Sequence, residues 1–131
     1  MANGFAVAVA AGSLRSTVTA TTHLPHQWTD EGVAVDTAFT GAHLLHLAVA
    51  ACVLNDLYRE SQRLGVALDG VRVEAGGGFD TEAWCSTGVT YRVEVDSPAA
   101  ADDVARLVAA VDEVAEIPKA LRAGAEVRRA V

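Results

Sequence analysis

Apolar and polar positions alternate in short stretches towards both ends of the chain and gather into one long block in its middle. Phe5 to Val9 sets Phe and Val against Ala with a period of two, which predicts a short half-buried strand. Gly12-Ser13 interrupts it, and Thr17 to Thr21, rich in Thr and Val, predicts a second strand with Arg15 at its start. Leu24 to Asp30 carries Pro25, Trp28 and polar residues and reads as a loop, followed by a brief extended piece at Val33 to Val35. From Ala42 to Leu64 no Pro or Gly intervenes, and the Leu, Ala, Arg, Glu and Gln there favour helix. Thr40 is the expected N-cap and Gly65 the expected stop. The first half of this helix is apolar nearly all round, which predicts burial on most sides, whereas Asn55 to Arg63 is polar on one face.

Beyond the helix, Val71 to Glu74 alternates as a strand and is expected to end at Gly76-Gly77-Gly78, a flexible hairpin connection. Val89 to Val95 sends Val89, Tyr91, Val93 and Val95 to one face and Thr90, Arg92 and Glu94 to the other. Ser97-Pro98 reads as an N-cap and first helical position. The helix that follows buries Val104, Leu107, Val108, Val111, Val114 and Ala115 until Pro118 breaks it, and Glu126 to Val131 can close as a last strand. Strands, a long buried helix, two strands, a helix and a strand make an α+β fold with mostly antiparallel pairing, in a single domain spanning residues 1–131. A small chain covers such an apolar helix poorly on its own. A homodimer sharing the helix, with its sites at the interface, is the expected solution.

Composition narrows the function classes. The formal charge of −7 argues against nucleic acid or an anionic membrane surface as partner, since both are polyanions. The longest apolar run, Leu44 to Leu54, is interrupted by His46 and falls short of a membrane span. No basic leader precedes Phe5, and two cysteines are too few for a disulfide scaffold, so a reduced, cytoplasmic chain is expected.

Cys52, flanked by Ala50, Ala51, Val53 and Leu54, is the first candidate for chemistry, although free cysteine often only packs. Its reactivity requires thiolate, hence a nearby positive charge. Arg59, two turns along the helix, and Arg15 are the candidate activators, while Asp56, one turn away, opposes ionisation. Cys85 follows Trp84 in a turn-like stretch, and nothing in the spacing pairs it with Cys52. His23 with His26 and His43 with His46 form two pairs that could chelate, but no cysteine or carboxylate falls at a ligand spacing, and ordinary surface or cap histidines are the simpler reading. The glycine triplet lacks the Lys-Ser/Thr of a phosphate loop. Asp102-Asp103 and Asp112-Glu113 read as surface charge, and no Ser-His-Asp set is visible.

The run Gly41-Ala42-His43-Leu44-Leu45-His46-Leu47-Ala48-Val49-Ala50-Ala51-Cys52 resembles the buried-helix signature of the OsmC/Ohr family of osmotically inducible and organic hydroperoxide resistance proteins. Leu57, Arg63-Leu64-Gly65 and Leu68 to Val73 resemble that family's helix-to-strand passage, and Tyr91 to Val95, Ser97-Pro98 and Leu121 to Gly124 its ending. The resemblance covers nearly the whole chain. It implies an intertwined homodimer with two long central helices and a site at each interface. In active members a peroxidatic cysteine attacks the peroxide, an arginine activates it, a glutamate holds the arginine, and a second cysteine resolves the sulfenic acid.

Carried over, Cys52 takes the peroxidatic position and Arg15 is the candidate activator. The glutamate position holds Ala42, and the resolving cysteine would fall near Ala115, so two of the four catalytic positions are lost. Two readings follow. One is a one-cysteine thiol peroxidase for organic hydroperoxides, served by an external thiol reductant. The other is a catalytically degenerate relative that binds a small apolar ligand at the dimer interface, with Asn55, Asp56 and Arg59 supplying polar contacts. A third, different cysteine or acid–base chemistry recruiting Cys52, Asp56 and a histidine, stays open. No cofactor or metal is expected in any of them.

Overall fold

A computed structural model describes residues 4–131. A five-stranded antiparallel sheet, ordered β2-β3-β1-β4-β5, carries a long helix on one face, with two shorter helices beside it. The elements are β1 (Val7–Gly12), a 3-10 turn (Arg15–Thr17), β2 (Thr22–His26), β3 (Thr29–Asp36), α1 (Gly41–Leu64), β4 (Gly70–Phe79), β5 (Ser86–Asp96), α2 (Ala101–Val114) and α3 (Glu116–Ala123). This is the α+β arrangement expected from the sequence, with helices segregated to one side of an antiparallel sheet.

The main core lies between the sheet and α1. Val7, Val9 and Ala11 of β1, Val33 and Val35 of β3, and Val71, Val73 and Ala75 of β4 meet Val49, Val53, Leu54 and Leu57 of α1. Leu107, Val111 and Ala115 close its side, while Val114, expected inside, is 38% exposed. The alternate β1 positions, Ala8 and Ala10, pack on the opposite sheet face with Val18 and Ala34.

The limits of α1 match the sequence signals. Thr40 Oγ1 accepts from the His43 backbone N–H, and Gly65 ends the helix at φ 70°. Its faces differ from expectation. The apolar first half is not covered all round, for Leu44 and Ala51 are exposed, whereas the polar second half buries Asp56, Glu60 and Ser61. By length and composition α1 could cross a bilayer, but it packs as a core helix against the sheet and α2.

Several expected boundaries are corrected. Thr17 to Thr21 is not a strand, because the chain turns through Arg15–Thr17 and enters β2 only at Thr22. Leu24 to Asp30 is not a loop throughout but the end of β2, the tight turn and the start of β3 in the β2–β3 hairpin. Pro25 is tolerated there because β2 is an edge strand and the register shifts between Leu24 and His26. Gly76-Gly77-Gly78 lies inside β4, and the connection comes later, where Trp84 N–H donates to the Asp80 carbonyl and Asp80 N–H to that of Cys85. A Cβ on Gly77 would stand 2.1 Å from the Gly88 carbonyl oxygen and 2.7 Å from His46 Nε2, so glycine there permits close packing.

Ser97 does not cap α2 directly. Its hydroxyl donates to the Ala67 carbonyl and accepts from Ala99 N–H, and the helix starts at Ala101. Pro118 does not break α2, which ends at Val114 where Ala115 turns extended; it sits in the first turn of α3, where its missing N–H costs nothing. Glu126 to Val131 forms no strand and is exposed, with Val127 at 91%.

Candidate functional site

Cys52 sits midway along α1, half-buried, on the side facing the start of α3. Its Sγ lies 3.9 Å from Asp56 Oδ2, one helical turn on, with the thiol donating to the carboxylate. Burial pushes the thiol up from its ordinary range. The Asp56 and Glu116 charges push the same way, against the backbone groups of Ile117 and Glu116, which favour thiolate. Asp56 is almost fully buried, and burial raises its carboxyl despite the opposing pull of Arg59.

The Arg59 guanidinium is shared. Its Nη2 lies 3.1 Å from Asp56 Oδ2, its Nε 3.4 Å from Glu60 Oε2 and its Nη1 3.7 Å from Glu116 Oε1. Glu60 is also held by Arg63 at 2.7 Å, and this pairing keeps its carboxyl below the usual range. A cation surrounded by three carboxylates has little field left for a neighbouring thiol. Asn55 Nδ2 reaches Asp56 Oδ1 at 3.5 Å, and its Oδ1 accepts from His26 Nε2 at 3.2 Å. The tip of the β2–β3 hairpin is thereby tied to α1. Cys52, Asn55, Asp56 and Arg59 thus form one cluster.

Arg15 does not join them within one chain. It lies in the turn after β1 and pairs with Glu31. The neighbouring Leu14 and Val18 pack on the sheet face opposite α1. Ala42 lies in the first turn of α1, and its carbonyl accepts from His46 Nδ1 at 2.6 Å. Ala115 is fully buried at the junction of α2 and α3, beside the residues that touch Cys52. Cys85 is exposed in the β4–β5 connection, and both thiols are free.

The histidines do not converge. His26 bonds Asn55 and Thr29, His43 bonds Thr40, His46 is buried, and His23 lies exposed on β2. Among the described residues no three metal-ligating side chains come together.

A groove of about 270 Å³ runs between α1, β5 and α3; Cys52, Asn55, Asp56 and Arg59 do not line it, and its link to the cysteine is through Val49, one turn before Cys52 on α1. Leu45 and Val49, two turns and one turn before Cys52, line it together with Val89, Pro118 and Leu121. Ser86, Tyr91 and Arg122 are its polar groups. The Tyr91 hydroxyl donates to Asp112, and burial together with that carboxylate pushes it up to about 12. Asp112 is therefore more than surface charge. Sequence reasoning missed Glu116 and Arg122, which the turn into α3 folds back towards α1 and β5, and the pairing of Tyr91 on β5 with Asp112 on α2, which only tertiary packing creates.

Comparison with known proteins fits this arrangement. The sequence profile described as OsmC-like protein matches residues 34–129. The chain belongs to the OsmC-like family. Two solved structures share the fold. An OsmC-like protein from Mycoplasma pneumoniae superposes with a TM-score of 0.61 at 13% identity, over 73% of this chain and 77% of that one. An OsmC-like hydroperoxide resistance protein from Jannaschia sp. CCS1 gives a TM-score of 0.54 at 13% identity, over 95% and 92%. A search of curated proteins returns no match. OsmC-like membership bears out the resemblance carried by the Gly41 to Cys52 helix.

Proposed function

We propose that this OsmC-like protein binds a small apolar ligand in the groove between α1, β5 and α3, with the Cys52 thiol kept protonated. The observation that carries the reading is the Cys52 thiol donating to Asp56 at 3.9 Å while Arg59 is occupied by Asp56, Glu60 and Glu116. A peroxidatic cysteine needs thiolate, and this arrangement opposes it. The groove supplies the other requirement, a mostly apolar concavity with few polar groups. Native mass spectrometry of freshly purified protein, with thermal shifts across a lipid and metabolite panel, tests it: a retained or stabilising apolar ligand supports it, and an empty site with no shift overturns it.

One observation favours the peroxidase reading as an alternative. Cys52 is only half-buried and is a free thiol one turn along α1 from Val49 of the apolar groove, which suits an organic hydroperoxide reduced at the expense of an external thiol. Equal, slow consumption of cumene hydroperoxide by wild type and Cys52→Ser, with dihydrolipoamide present, rules that out.

In either reading the working unit is a single-domain, cytoplasmic homodimer. The exposed Leu44 and Ala51 face of α1 and the unpaired residues from Glu126 onwards support a partner that covers both. In such a dimer Arg15 would reach Cys52 only from the partner subunit.

A further inference from the structure

The groove has one charged group on its lining, and that group is not engaged like the others nearby. Arg59 has three carboxylates around it, and Arg63 is bound to Glu60. Among the described residues no ion pair engages Arg122. Arg122 lies in the last turn of α3, exposed at the rim, with its guanidinium beside the Tyr91 hydroxyl. Asp112, which also acts on Tyr91, already accepts the Tyr91 hydroxyl. Leu45, Val49, Val89, Pro118 and Leu121 make the rest of the lining mostly apolar, beside Ser86 and Tyr91.

We propose that the groove takes an aliphatic carboxylate, its chain lying along Leu45, Val49 and Leu121 and its head held by Arg122 at the rim. This inference rests on the apolar-ligand reading and specifies its ligand class. A guanidinium presents a planar pair of N–H donors that matches a carboxylate, and Ser86 adds a hydroxyl to the lining. A volume of about 270 Å³ falls just below the usual range of small-molecule sites and suits one medium-length chain, not a two-chain lipid. The overall charge of −7 works against anions in general, so a preference for an anionic ligand has to come from this local cation.

Calorimetric titration of the full chain at pH 7.5 with decanoate and decyltrimethylammonium, each below its micellar concentration, and with decan-1-ol below its solubility limit tests the assignment. Decanoate should bind at least about tenfold more tightly than decan-1-ol, and the ammonium most weakly. Arg122→Gln should bring decanoate to the level of decan-1-ol and leave decan-1-ol unchanged. Leu121→Asp, at a half-exposed position, should abolish both. Equal affinity for acid and alcohol, or an Arg122→Gln variant that still prefers the acid, overturns the carboxylate assignment and leaves the apolar-ligand reading standing. Absence of binding by all three probes overturns both.

Discussion

The Cys52 thiol and the Asp56 carboxylate occupy the same face of α1 one turn apart, and the sulfur donates to the oxygen across 3.9 Å. A buried carboxylate on that side of a thiol stabilises the S–H form. Because the folded thiol lies above its ordinary range, it favours folding at neutral pH, and that contribution is lost as pH rises above the ordinary thiol range.

Asp56→Asn removes the charge opposing thiolate and frees Arg59 from one of its three partners. Alkylation of Cys52 by iodoacetamide at pH 8 should then run roughly three- to tenfold faster than in wild type. The reaction is followed by mass spectrometry on a Cys85→Ser background. An unchanged rate would mean that Asp56 does not control the thiol.

His26 links the β2–β3 hairpin to Asn55 and stacks edge-on against Tyr58. Burial lowers its basicity, more than the Asn55 hydrogen bond raises it. The unfolded chain therefore takes up the His26 proton first, and stability is lost as pH falls through about 6.5. Urea midpoints at pH 7.5 and 5.5 should differ more in wild type than in His26→Gln.

Gly77→Ala places a methyl group 2.1 Å from the Gly88 carbonyl oxygen and 2.7 Å from His46 Nε2. The strand pair and the helix must separate to admit it, at a cost of about 2–3 kcal/mol. Gly78→Ala, whose nearest neighbour is the Thr87 hydroxyl at 3.3 Å, should cost clearly less in the same denaturation experiment.

Leu57, fully buried among the core valines, should lose about 2–5 kcal/mol on Leu57→Ala, whereas Thr40→Ala should lose about 1 kcal/mol through the cap alone. Ala51→Glu, on the exposed face of α1, should leave the fold intact and give a monomer in sedimentation velocity if that face pairs two copies.

What could be read from the sequence was local. The Thr40 cap, the Gly65 stop and the unbroken run between them sit within α1 itself, and the alternation at Val71 and Val89 reports strands directly. The misreadings arose where distant contacts override local preference. Pro25 reads as loop until β2 is known to be an edge, and the glycine triplet reads as a turn until His46 and Gly88 are seen pressing on Gly77. The site divided the same way. Cys52, Asn55, Asp56 and Arg59 share one helix and fall into one cluster as their spacing implies. Glu116 and Arg122 arrive from α3, and no periodicity within α1 could place them there.

The chain's first strand is the middle of its sheet. β1 pairs with β3 on one side and β4 on the other, so its second partner begins only at Gly70, after the hairpin and the whole of α1. During synthesis at about 5–20 residues per second, one edge of a Val-Ala strand therefore stays open for some seconds after β3 has emerged. The nascent chain thus carries an aggregation-prone edge that the finished protein conceals, and its yield in the cell should depend on how quickly translation reaches β4.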